Sequence, residues 1–169
     1  MAQSTDSRSL LDTTQLRTDV PMRLAVVYTE WNEQIVVALL DGCTAVCDEL
    51  QAVITHKLAV PGSFELPFAC NQLWRQTEGQ PGAPEAIIAF GAVIRGGTPH
   101  FDYVCQAVTQ GVTALNTVLP VPVIFGVLTL DNEAQAWERL GGTHGHKGRE
   151  AAITALKMIR FSRELKMEN

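Results

Sequence analysis

The chain has 169 residues, 46% hydrophobic and 18% charged, a balance that fits a soluble globular protein with one substantial core. A net charge of −5 leaves no basic footprint, which argues against nucleic acid and anionic membrane surfaces as partners. No apolar run approaches the roughly 18 residues that span a bilayer, and the N-terminus shows no apolar signal core, so the expected compartment is the cytoplasm.

Residues 1–21 are rich in Ser, Thr and Asp and read as a mobile N-terminal arm; 22–169 read as a single α/β domain. The first strand is predicted over Leu24–Tyr28. A helix follows over 31–50, with an apolar stripe at Ile35, Leu39, Val46 and Leu50. The second strand runs from Val53 to Val60 and is closed by Pro61-Gly62. A second helix is predicted over Ser63–Arg75, and Pro81-Gly82-Ala83-Pro84 punctuates the link to the third strand, Glu85–Ile94. A glycine-rich turn then opens a helix over Pro99–Val118, with Thr98 as N-cap and Pro99 at N1. Pro122 introduces the fourth strand, Val123–Leu130. A short helix over Asn132–Leu140, a loop over Gly141–Gly148 and a last helix over Arg149–Leu165 complete the chain.

Strands that are apolar throughout imply burial on both faces, hence a parallel sheet between helix layers. The expected fold is a three-layer, doubly wound, flavodoxin-like sandwich with a four-stranded parallel sheet. Ligands in such folds bind beyond the carboxyl ends of the strands. Four such ends fall at Tyr28–Asn32, Val60–Glu65, Ile94–His100 and Thr129–Asn132, where the noteworthy polar and aromatic residues cluster. Cys43, Cys47, Cys70 and Cys105 lack paired CxxC spacing and read as buried thiols, and His56 in the second strand reads as structural. No metal site is expected.

The stretch from Gly91 to Tyr103 is the most informative. Gly96, Gly97 and Thr98 can aim backbone N–H groups at one point where a helix dipole also favours negative charge. His100 places a titratable imidazole beside that anion cradle. A binding element and a proton carrier thus share five residues of chain, 96–100.

Val60-Pro-Gly-Ser-Phe-Glu-Leu-Pro67, Gly91–Tyr103, Pro122–Thr129 and Ala136-Trp-Glu-Arg-Leu-Gly141, in that order and each at a strand end, closely resemble lumazine synthase over about Met22–Arg163. The resemblance implies condensation of 5-amino-6-(D-ribitylamino)uracil with 3,4-dihydroxy-2-butanone 4-phosphate, in the penultimate step of riboflavin biosynthesis. No electrons enter or leave that reaction, so no cofactor is expected. It implies His100 as the proton-transfer residue. Trp31 matches the aromatic that stacks on the pyrimidine, where many relatives carry Phe; packing at the helix start is the alternative. Ser63, Phe64 and Glu65 match the ribityl-binding segment, although Glu65 could instead compensate a helix dipole. Ala92, Val93 and Ile94 match the backbone edge that reads the pyrimidine. Gly97 and Thr98 match the phosphate cradle and Arg139 the phosphate-binding arginine. Phe125 matches a wall residue supplied across a subunit interface, with core packing as the alternative, and Lys147 matches a lysine near the ligand.

The family further implies pentamers, free or arranged in a sixty-subunit shell, with each site shared between neighbours, and riboflavin synthase as a partner. Departures from its common pattern are Pro99 before the histidine, and His144 and His146 in the 141–148 loop. Three rivals stand beside this reading: a riboflavin synthase of archaeal type, a flavodoxin-like flavin carrier, and a scaffold that has lost activity. Tyr28-Thr-Glu-Trp-Asn32 lacks the phosphate loop of the carrier, and the intact Gly-Gly-Thr-Pro-His turn disfavours the other two.

Overall fold

The computed structural model describes residues 11–167. Its main elements are β1 (Arg23–Thr29), α1 (Glu33–Leu50), β2 (Val53–Val60), a 3₁₀ turn (Ser63–Glu65), α2 (Leu66–Thr77), β3 (Ala86–Ile94), α3 (His100–Val118) and β4 (Val123–Leu130). They are followed by α4 (Ala134–Trp137), a two-stranded hairpin of β5 (Leu140–Gly142) and β6 (Gly145–His146), and α5 (Lys147–Met167). The four long strands form one parallel sheet in the order β2-β1-β3-β4. Among the described residues no helix is long and apolar enough to cross a membrane.

Side-chain alternation along the strands divides the interior in two. Leu24, Val26, Ile88 and Phe90 face α1 and α5, where they meet Leu39, Val46, Leu156 and Ile159. Ala25, Val27, Ile87 and Ala89 face α2 and α3, where they meet Leu66, Cys70, Val108 and Val112. The helices therefore cover both faces, as the apolar strands predict. That prediction holds for central β1 and β3 but not for β2, where Val53 and Leu58 are exposed because β2 is an edge strand. Cover is also uneven: only Val108, Val112 and Leu115 of α3 are buried.

Several predicted boundaries shift. The first helix begins at Glu33, because Asn32 takes a left-handed conformation (φ 59°, ψ 45°) that ends the loop from β1. The predicted helix over 132–140 shrinks to Ala134–Trp137, since β5 and β6 pair where a plain loop was expected. The last helix starts at Lys147, two residues early. Gly148 allows this: a Cβ there would stand 2.2 Å from the Leu39 carbonyl oxygen of α1. Thr98 does not cap α3; Pro99 holds the N-cap position, without a side-chain hydrogen bond to the first turn.

Residues 1–10 of the predicted mobile arm lie outside the described residues. Residues 11–21 lie against the domain. Leu16 is buried, Arg17 donates to the Glu49 carbonyl at 2.9 Å, and Arg160 pairs with Gln15. At the end of the sheet remote from the strand tips, Arg163 forks onto Glu85 with two bonds of 2.7 Å and reaches the carbonyls of Val20 and Pro21. Burial pushes the Glu85 carboxyl up, but the Arg163 fork and the Arg23 backbone N–H, with the charges of both arginines, outweigh it and hold the group below its ordinary range.

Candidate active site

The strand tips are shaped by short backbone bonds. Glu30 N–H donates to the Val60 carbonyl at 2.9 Å and Trp31 N–H to the Pro61 carbonyl at 3.3 Å, which bends the end of β1 over the end of β2. Asn32, fixed in its left-handed turn, donates its side-chain amide to the Ala92 carbonyl at 2.8 Å. Trp31 is thereby held out of the core, 73% exposed, with its face free. A methyl group on Gly62 would stand 3.5 Å from Trp31 Cδ1 and 3.2 Å from Glu65 Oε2, so indole and carboxylate flank the same backbone. Ser63 is buried because Gly91 leaves it room; a Cβ on Gly91 would lie 2.8 Å from the Ser63 hydroxyl.

These pieces enclose a cavity of about 510 Å³, within the usual range of small-molecule sites. Trp31, Ser63, Phe64 and Glu65 line it from one side. The Ala92–Ile94 edge of β3 lines it from another, and His100 from the start of α3 closes the set. Every predicted pyrimidine and ribityl residue thus meets the predicted proton carrier. Sequence reasoning missed Asn32, Gly62 and Val104, which also line the cavity. Val104 was accessible from helical spacing, one turn after His100. Asn32 was not, since its conformation answers a carbonyl sixty positions away.

Gly97 and Thr98 are exposed in the turn before α3, beside this cavity but not among its lining residues. A Cβ on Gly96 or Gly97 would meet nothing within 4 Å, and neither glycine has a positive φ. The turn is therefore open to whatever approaches it. With no side chain capping α3, backbone donors of its first turn are left available to an anion.

Phe125, Arg139 and Lys147 come together elsewhere, on the β4 edge of the sheet. They line a second cavity of about 280 Å³ that shares no residue with the first. Arg139 donates to the Gln135 carbonyl at 2.9 Å and lies 3.7 Å from the Glu138 carboxylate. Lys147 donates its backbone N–H to the Arg139 carbonyl at 2.8 Å, across the base of the β5–β6 hairpin. Its ammonium is paired with Glu150 at 2.7 Å. The hairpin is seated by His146, whose ring packs against α1 at Gly42; a Cβ there would come within 2.2 Å of it. His146 Nδ1 is buried without a hydrogen-bond partner.

The four cysteines are free thiols, three of them buried. Desolvation pushes Cys70 up to about 12, so it is an inert packing group. Cys43 and Cys47 share a hydrogen bond that holds the Cys43 thiol well above its ordinary range. Among the described residues no three His, Cys, Asp or Glu side chains stand close enough to hold a metal ion.

Comparison with known proteins agrees across most of the chain. The family described as 6,7-dimethyl-8-ribityllumazine synthase matches residues 21–163. A protein of that name from Bacteroides fragilis is 47% identical over 142 residues, covering 83% of this chain and 96% of its own. One from Parabacteroides distasonis is 45% identical over 146 residues, covering 83% and 86%. A third, from Christiangramia forsetii, is 40% identical over 168 residues and covers 98% of each chain.

Proposed function

The chain belongs to the 6,7-dimethyl-8-ribityllumazine synthase family, and from that premise we propose that it condenses 5-amino-6-(D-ribitylamino)uracil with 3,4-dihydroxy-2-butanone 4-phosphate, with His100 as the proton shuttle. The observation that carries the reading is one cavity lined by Trp31, Ser63–Glu65, the Ala92–Ile94 edge and His100 together. A flat, polar heterocycle fits against the exposed indole, and the β3 backbone beside it offers directional hydrogen bonds to ring edges. Ser63 and Glu65 supply polar partners for a polyhydroxylated chain.

The chemistry then follows from placement. The primary amine of the pyrimidine attacks the ketone carbonyl, and the adduct loses water to give an imine. Removal of a carbon-bound proton pushes out inorganic phosphate. The ribityl-bearing nitrogen closes the ring on the remaining carbonyl, and a second water leaves. An imidazole at His100 suits both the proton removal and the proton return near neutral pH. The open turn at Gly97 and Thr98 receives the phosphate, whose negative charge matches the start of α3.

Arg139, Phe125 and Lys147 enter this scheme from a neighbouring copy. Their cavity lies on the β4 edge, apart from the slot of the same chain. A heterologous contact that sets one chain's β4 edge against the next chain's slot repeats from copy to copy, and the family resemblance makes that arrangement a closed ring of five. A shell of sixty subunits is an extension of the same arrangement, and riboflavin synthase the enzyme that would take the product, within the cytoplasm.

The test is direct: mix both substrates with the pure protein and follow absorbance of the lumazine chromophore. Growth that needs both substrates supports the condensation. No growth with both, together with consumption of the lumazine offered alone, would replace it with the dismutation catalysed by archaeal-type riboflavin synthase.

A further inference from the structure

The turn that carries Gly96, Gly97 and Thr98 has open space around its glycines and no side-chain cap at the helix it leads into. Something else must hold its two ends at a fixed separation. Arg95 stands at the first end, where its N–H donates to the Leu130 carbonyl at 2.8 Å in the last rung between β3 and β4. Its guanidinium donates to Asp131 at 3.1 Å, just beyond β4, and to Asp102 at 3.2 Å, in the first turn of α3. The same group lies 4.1 Å from the ring centre of Phe101.

We propose that Arg95 is a positioning residue for the phosphate cradle and for His100, clamping the first turn of α3 to the end of β4. Its charge already faces two carboxylates, so it does not serve as a second phosphate ligand. An exposed ion pair alone contributes little to stability. Here one planar fork is shared by two carboxylates and an aromatic face, and it spans the segment whose geometry matters most. The clamp also connects to the other cavity. Asp131 N–H donates to Gln135 Oε1 at 2.9 Å, and the Gln135 carbonyl accepts the bond from Arg139.

The inference rests on the cradle assignment made above, and the experiment separates the two. Inorganic phosphate binding is measured by calorimetry, and KM for each substrate by steady-state kinetics, in Arg95→Met, Arg95→Lys and Asp131→Asn. Far-UV circular dichroism checks that these exposed substitutions leave the fold intact. Arg95→Met is expected to weaken phosphate binding and raise KM for the phosphorylated ketone about tenfold, with KM for the pyrimidine nearly unchanged. Arg95→Lys should recover little, because an ammonium keeps the charge but cannot fork.

Asp131→Asn gives the sharpest sign. Removing a negative charge near an anion site ordinarily tightens anion binding, whereas loss of the clamp weakens it. Weaker phosphate binding in Asp131→Asn supports the clamp; tighter binding, or full rescue by Arg95→Lys, overturns it. If the unsubstituted protein binds phosphate with this Arg95 dependence yet condenses nothing, the clamp stands and the proposed reaction falls.

Discussion

At the carboxyl ends of β1 and β3 the slot around Trp31 is walled largely by backbone and by side chains seated on the buried sheet. Along β4 the patch around Arg139 is walled by the strand itself, Phe125–Thr129, and by two charged side chains, Arg139 between α4 and the hairpin and Lys147 at the start of α5. The slot inherits its geometry from the parallel ladder: Tyr28 pairs with both Ala59 and Phe90, and Ile94 with Leu130. The patch depends on a hairpin two residues wide at β6, seated against α1 through His146 and Gly148. One region is shape-defining; the other is charged and held by local contacts. A site that draws one wall from each can orient a heterocycle firmly while gripping a phosphate electrostatically.

The largest expected effect breaks the slot. His100→Gln should slow condensation by about 10- to 10³-fold near neutral pH, the usual size of a general acid–base contribution, with the fold intact. Unchanged turnover would remove His100 from the mechanism. The patch is broken by Arg139→Ala. Loss of a charge-assisted contact of about 1.5–3 kcal/mol should weaken use of the phosphorylated ketone roughly ten- to hundred-fold. Pyrimidine binding, followed by quenching of Trp31 fluorescence, should barely change. A collapse of pyrimidine affinity would show that the two regions are not separable in the way their cavities suggest.

Mixing sharpens the comparison further. If each site takes its slot from one chain and its patch from the next, reassembling equal amounts of the two variants restores about a quarter of the sites. If both walls come from one chain, every site carries a defect and activity stays at the level of the separate variants.

The smallest effect is a pH dependence of the patch. Burial holds His146 below the ordinary histidine value of 6.5, against a weaker opposing pull from its own backbone hydrogen bond. The unfolded chain therefore binds more protons than the folded one as pH falls through that value, so stability present above it declines on acidification. The thermal midpoint should drop between about pH 7 and 5.5, and the drop should shrink in His146→Phe. An equal drop in both proteins would place the titration elsewhere.

Much of this was legible in the chain. The strands over 53–60 and 123–130 were bounded correctly because Pro61-Gly62 and Pro122 punctuate compact apolar runs. The slot residues were legible through the resemblance, carried by the Val60–Pro67 and Gly91–Tyr103 motifs at two strand ends and by Trp31 at a third. The hairpin over 140–146 was not, since it is held by contact with α1, a hundred residues earlier. Nor was the close packing of 11–21, whose polar composition hides one anchoring leucine, Leu16. The separation of Arg139 from His100 was expected only through the resemblance, which has Phe125 and Arg139 reach a neighbour's site; order along the chain alone says nothing about which edge of a sheet a segment occupies.

The thin burial of α3 has a consequence in time rather than in space. Helices open locally in proportion to how little apolar surface secures them. With three buried positions among nineteen residues, α3 is the first long helix that a lone chain would let fray, and it begins at His100. Amide hydrogens of α1 and α5 should outlast those of α3 in exchange with deuterium. In a single copy the proposed proton carrier sits on the helix with the shortest memory of its own position.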